Sequence, residues 1–155
     1  MKRTFSLLTE NKASDLPQII NLFARRGVKI LSLSLGATET AEKSCLTLQV
    51  DCGTQLAEQL EAQLKNLVFV EKVTLLDGDS VISRELMLVK VSASATTRQE
   101  ILTIVELAAA TVVDISSERI ILELSGKSAF LDNILSMLTP FGILEIARTG
   151  TVAIY

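Results

Sequence analysis

The chain has 155 residues, 15 Lys or Arg against 18 Asp or Glu, and 48% hydrophobic residues but only 4% aromatic. This composition excludes disorder and leaves room for one domain or two small ones. With no His and two Cys, Ser-His and Cys-His catalysis, His-ligated metals and four-thiolate zinc are excluded, and the longest uncharged run, residues 133–144 broken by Pro140, is too short to span a membrane.

Residues 3–9 read as an apolar strand. Leu16, Ile19, Ile20, Leu22 and Phe23 then recur at helical spacing, with Asp15 as expected N-cap, Pro17 harmless in the first turn and Gly27 as the stop after Arg25-Arg26. Residues 28–35 alternate as a strand, 36–43 form a polar connection and 44–51 a third strand. Leu56, Leu60 and Leu64 mark a helix over 54–66, and residues 68–76 a fourth strand. Asp77-Gly78-Asp79-Ser80 is the clearest turn in the chain.

The same order recurs beyond it. Residues 84–93 read as a strand, 97–110 as a helix carrying Ile101, Ile104, Val105 and Ala108, and 111–115 and 119–124 as strands around Ser116-Ser117-Glu118. A helix over 127–138 carries Phe130, Leu131, Ile134, Leu135 and Leu138, and residues 143–154 read as one closing strand. The expected fold is α+β, two ferredoxin-like βαββαβ domains at 1–77 and 78–155, each an antiparallel sheet with helices on one face. Leu31, Leu33, Leu35 and Leu46, Leu48, Val50 are apolar at alternate positions, so the expectation is that apolar sheet faces or edges pair subunits into a dimer. Cys45 and Cys52 are expected to be reduced structural thiols, and the start Met1-Lys2-Arg3, with no apolar leader behind it, gives a cytoplasmic expectation.

The fold alone does not choose a function. Residues 1–77 hold nine basic and nine acidic residues and the remainder six and nine, so no half is a nucleic-acid-binding surface, and the strand over 44–51 lacks the aromatics that RNA stacking needs. Asp77 and Asp79 suit a cation or a solvated turn, Glu58 and Glu61 a solvated helix face rather than an acid–base carboxylate pair, and Tyr155 stands at a terminal position, where catalytic residues are seldom found. Nothing converges on chemistry. The distinctive stretch is the polar loop 9–15 opening a helix: N–H groups and the positive helix end at 14–16 offer a seat for a small carboxylate, or a plain capped helix start.

Three segments carry a resemblance. The run Leu8-Thr9-Glu10-Asn11, then Leu16, then Ile20-Asn21-Leu22-Phe23-Ala24-Arg25-Arg26-Gly27-Val28-Lys29-Ile30-Leu31-Ser32-Leu33 resembles the opening ACT domain of acetolactate synthase small subunits. Arg84-Glu85-Leu86-Met87-Leu88-Val89-Lys90-Val91 and Glu145-Ile146-Ala147-Arg148-Thr149-Gly150 agree with later parts of that family. The resemblance implies an N-terminal ACT domain for effector binding and dimerisation, a C-terminal ACT-like domain, and no catalysis by this chain. It further implies a catalytic large subunit carrying thiamine diphosphate, Mg and FAD, activated by this one in valine, leucine and isoleucine synthesis, and feedback by a branched-chain amino acid. The implied effector site, at the interface of two ACT domains, is Asn11, Ser14, Asp15 and Leu16 for the carboxylate and Lys29 and Ile30 for the amino end.

The chain departs from the family at three of these positions. The family usually has Gly at Ser14, a small neutral residue at Asp15 and Asn at Lys29. Asp15 opposes a ligand carboxylate and Lys29 a ligand ammonium, so the expectation is that the two pair across the interface, imitate a bound zwitterion and weaken or abolish the response to valine. The alternative is that both point into solvent and valine binds normally. A free-standing ACT sensor controlling another enzyme or a transcription factor is the competing reading, and the segment 84–91 argues against it.

Overall fold

The structure, a computed structural model, describes every residue except Asn11, Asp77 and Asp79, so the turn around Gly78 that marks the expected boundary lies largely outside the described residues. The chain divides into two compact units, Met1–Ile82 with Thr151–Tyr155, and Ser83–Gly150. The division falls a few residues beyond that turn, and the C-terminal tail is grouped with the first unit.

The first unit contains β1 (Lys2–Glu10), α1 (Asp15–Arg25), β2 (Lys29–Ala37), β3 (Lys43–Asp51), α2 (Thr54–Lys65) and β4 (Val70–Leu75). Its sheet has the order β2-β3-β1-β4 with every neighbouring pair antiparallel, as a βαββαβ ferredoxin-like unit requires. Phe5 pairs with Leu48 and Leu7 with Leu46 across β1 and β3. All four are buried with Val50 under Ile19 and Phe23 of α1 and Ala57, Leu60 and Leu64 of α2. Phe5 and Phe23 meet edge to face, ring centroids 5.9 Å apart. Burying one such side chain contributes about 1.5–3 kcal/mol, so the helix-facing side of the sheet holds the core.

This corrects the expectation that Leu46, Leu48 and Val50 form a subunit-pairing face. Strand periodicity says that one face is apolar without saying which face meets the helices. The register places Thr4 and Ser6 of β1, Cys45, Thr47 and Gln49 of β3, and Ser32 and Ser34 of β2 on the opposite face. That face is lined mainly by small polar side chains, with Leu8 among them. Leu33 joins the core, and only Leu31, at a bulge, and Leu35 remain exposed.

The tail is grouped with this unit by its contacts. Tyr155 donates its hydroxyl to the Leu75 carbonyl at 3.1 Å, the Thr151 N–H points to the Ser32 hydroxyl at 3.5 Å, and Thr151 and Ala153 are buried. The expected closing strand over 143–154 is therefore two: β8 (Ile143–Arg148) and β9 (Val152–Ile154). Gly150, at φ +81°, breaks the run in a conformation that side-chain-bearing residues avoid.

The second unit contains β5 (Ile82–Ser92, whose first residue belongs to the first unit), α3 (Arg98–Leu107), β6 (Thr111–Ile115), β7 (Arg119–Gly126), α4 (Ser128–Leu138), a 3₁₀ turn (Thr139–Phe141) and β8. The order β6-β7-β5-β8 repeats that of the first unit, and β9 pairs with β5 as a fifth strand of this sheet. Its core is Met87, Val89 and Val91 of β5, Ile120, Leu122 and Leu124 of β7, and the inward residues of α3 and α4. Glu85, on the same β5 face, is buried and held by a fork from Arg148 of β8, Nε to Oε1 at 2.7 Å and Nη2 to Oε2 at 3.0 Å. Arg148 also donates to Asp132 and Ser128 of α4. These contacts, foremost the Glu85 hydrogen bond, raise the guanidinium pKa further above its ordinary value.

Both units stop their first helix alike. After α1 the Gly27 N–H reaches the Ala24 carbonyl at 3.0 Å and the Val28 N–H the Phe23 carbonyl at 3.1 Å; after α3 the Ala109 N–H reaches Glu106 at 3.2 Å and the Ala110 N–H reaches Val105 at 2.9 Å. This is the Schellman pattern, with Gly27 at φ +65° and Ala109 at φ +50°.

Candidate functional site

The loop between β1 and α1 starts where the Glu10 N–H bonds the Phe69 carbonyl at 3.1 Å, fixing the strand end against the approach to β4. The helix begins at Asp15, with Ser14 in the cap position and no side-chain cap bond. The expected Asp15 N-cap is thus displaced by one residue, and the reason is local. The Asp15 carboxylate turns back to accept from the Lys12 N–H at 3.3 Å and the Ser14 hydroxyl at 3.4 Å, while the Asp15 N–H bonds the Lys12 carbonyl at 3.1 Å. Asp15 is only 4% exposed. A carboxylate in a first helical turn is favoured by the helix dipole.

Two donors of the expected carboxylate seat are therefore engaged inside the loop, one of them by the chain's own carboxylate. Gln18 donates to the Ser14 carbonyl at 3.2 Å, and Leu16 packs against the core. The Lys12 ammonium pairs with Glu10, whose hydrogen bond and charge raise its pKa. Asn11 lies outside the described residues.

Lys29 and Ile30 stand at the other end of α1. That helix has 11 residues, so about 16 Å separates the two groups along its axis, and no Asp15–Lys29 pair forms within the chain. Lys29 is exposed and stands in register opposite Asp51. The Asp51 carboxyl is held below its usual pKa, first by the hydrogen bond and charge of the N-terminal ammonium at 2.6 Å and to a lesser degree by Lys29. Ile30 is half-buried against the core. The structure brings Ser14, Asp15 and Leu16 together and leaves Lys29 and Ile30 as a separate half-site.

A concavity of about 620 Å³ adjoins the loop, with Glu10, Glu42 and Glu71 set against Lys12 and Lys43, and Lys43 meets Glu71 at 2.6 Å. Among the described residues no three His, Cys, Asp or Glu side chains gather as metal ligands, and no helix is long and apolar enough to cross a membrane. Cys45 and Cys52 are both thiols, Cys45 beside the Ser6 hydroxyl at 3.6 Å.

A second feature of the helical layer escapes the sequence reading. Gln18, Asn21 and Arg25 share one face of α1 at i, i+3, i+7 spacing, and with Arg26 they line a groove of about 490 Å³ against Gln63 and Asn66 at the end of α2. The signal was present in that spacing, but Arg25 and Arg26 read only as a helix end.

Residues 5–72 match the family model described as an AHAS small subunit-like ACT domain, and residues 84–155 that of the small subunit of acetolactate synthase. An acetolactate synthase small subunit from Mycolicibacterium smegmatis is 42% identical over 151 residues, 97% of this chain and 89% of that protein. The one from Bacillus subtilis is 41% identical over 154 residues, 99% and 90%. The crystal structure of the acetolactate synthase small subunit from Thermotoga maritima matches with a TM-score of 0.90 at 35% identity, covering 99% of this chain and 96% of that one.

Proposed function

Because the chain belongs to the acetolactate synthase small-subunit family, the non-catalytic regulatory partner of a catalytic large subunit, we propose that it activates that subunit while responding weakly or not at all to valine. It works in the cytoplasm on a thiamine-diphosphate-dependent enzyme that also carries Mg and FAD, at the entry to branched-chain amino acid synthesis. The bond-making chemistry belongs to the catalytic partner. The activating role is supported by the match of both halves, in order, to one family.

The weak valine response is supported by the buried Asp15 carboxylate. In this reading the effector site combines Asn11, Ser14, Asp15 and Leu16 of one protomer with Lys29 and Ile30 of a second copy. The separation of the two half-sites along α1 favours such sharing. Asp15 supplies from within the loop the carboxylate that an amino acid would bring, with no need of the expected pair with Lys29. A ligand carboxylate about 4 Å away would be opposed by about 1 kcal/mol in water and about 4 kcal/mol at an effective dielectric of 20, roughly fivefold to a thousandfold in affinity. Lys29 adds a like charge where the ligand ammonium would sit.

Reconstitution tests both parts. Mixed with its catalytic subunit, the protein is expected to raise acetolactate formation, with little inhibition by valine, leucine or isoleucine. Calorimetry of valine with the isolated protein is expected to give no micromolar binding, and the double variant Asp15→Ala/Lys29→Asn to gain it. No activation overturns the regulatory role; a micromolar dissociation constant in the unaltered protein overturns the account of Asp15.

A further inference from the structure

The groove between α1 and α2 runs along α1 from Gln18, one turn beyond Asp15, to Arg25 and Arg26 at the far end of the helix. Arg25 and Arg26, Gln18, Asn21, Gln63 and Asn66 line its walls, and Leu22 and Leu67 complete it. No carboxylate lines it, although the chain carries three more acidic than basic residues. Arg25 and Arg26 are exposed and make no ion pair among the described residues, whereas Lys12, Lys43, Lys65, Lys90, Arg119 and Arg148 all do. Guanidinium groups offer five donors in a fork that fits carboxylates, and the four amides add donors of their own. Just past the groove, Val68 is 99% exposed, an apolar side chain left wholly in water.

We propose that this groove is the docking surface for an acidic segment of the catalytic subunit, its carboxylates held by Arg25 and Arg26 and its apolar part resting on Val68. The inference rests on the regulatory reading above and adds to it the face of the molecule that is used. Charge complementarity favours this occupant. The concavity beside the loop already balances Glu10 with Lys12 and Glu71 with Lys43, and the one on the polar sheet face is walled by Ala153, Ile154 and Tyr155. A second copy of this chain is a poor occupant, because a two-fold contact sets a patch against itself and would place Arg25 and Arg26 against their own counterparts.

The test uses the full-length protein and its catalytic subunit, measuring their association and, separately, self-association and thermal melting. Arg25→Glu/Arg26→Glu is expected to weaken association with the catalytic subunit by about tenfold or more, with melting and self-association unchanged, and the unaltered pair to weaken as salt rises. Gln63→Glu, a milder change on the facing helix, is expected to act in the same direction. Unchanged affinity in both variants overturns the proposal. So does a variant that loses self-association but still binds the catalytic subunit, or one that loses only a calorimetric signal with inorganic phosphate. Binding without activation by the unaltered protein overturns the regulatory role while the variants still decide the groove; no binding at all overturns both.

Discussion

Gly27 and Ala109 occupy the same position after the first helix of their respective units, each with positive φ and each closing a Schellman pair of hydrogen bonds. A side chain in that conformation costs about 1–2 kcal/mol, and glycine returns about 0.5–1 kcal/mol of this by its freedom in the unfolded chain. A Cβ at Gly27 would meet nothing within 4 Å, so only backbone strain is at stake. Gly27→Ala is expected to destabilise, and Ala109→Gly to stabilise, by about 0.5–1 kcal/mol each, read from urea unfolding. Gly27 was legible in the sequence as a helix stop. Ala109 was not, because among Ala108, Ala109 and Ala110 nothing marks which residue turns, and the predicted helix ran on through residue 110. The Asp15 carboxylate was similarly hidden, since its direction depends on a helix that begins one residue later than the expected cap.

The two later segments that carry the family resemblance prove to be one ionic unit at the level of strands and helices. Glu85 of β5 and Arg148 of β8 are far apart in sequence yet share a fork, and Asp132 and Ser128 bring in α4. Arg148→Met is expected to cost about 3–5 kcal/mol by leaving Glu85 buried and uncompensated. Adding Glu85→Leu should recover most of that loss in a double-mutant unfolding cycle, because two apolar side chains replace a desolvated pair. The order of elements was legible from periodicity alone, and residues 111–115 were placed to the residue. The face of each sheet that meets the helices was not legible, because Leu46, Leu48 and Val50 look the same from either side until the register is known. The break at Gly150 was masked by strand-forming neighbours on both sides.

For the whole molecule, the grouping of Thr151–Tyr155 with the first unit means that a cut between the two repeats does not release a complete first domain. Removing these five residues is expected to lower the melting temperature of the first unit. It should also reduce hydrogen-exchange protection in β2 and β4, where Ser32 and Leu75 meet Thr151 and Tyr155, and leave β7 unaffected. Unchanged protection in β2 and β4 would show that the tail is a passenger. The tail also bears on the order of events during synthesis. Residues 151–155 leave the ribosome only after the whole of the second unit, so the sheet whose strands are made first waits longest for its final contacts. Until then the apolar side chains on its otherwise hydroxyl-lined face, Leu8 and Leu76, wait for Ala153 and Ile154, which share a concavity with them.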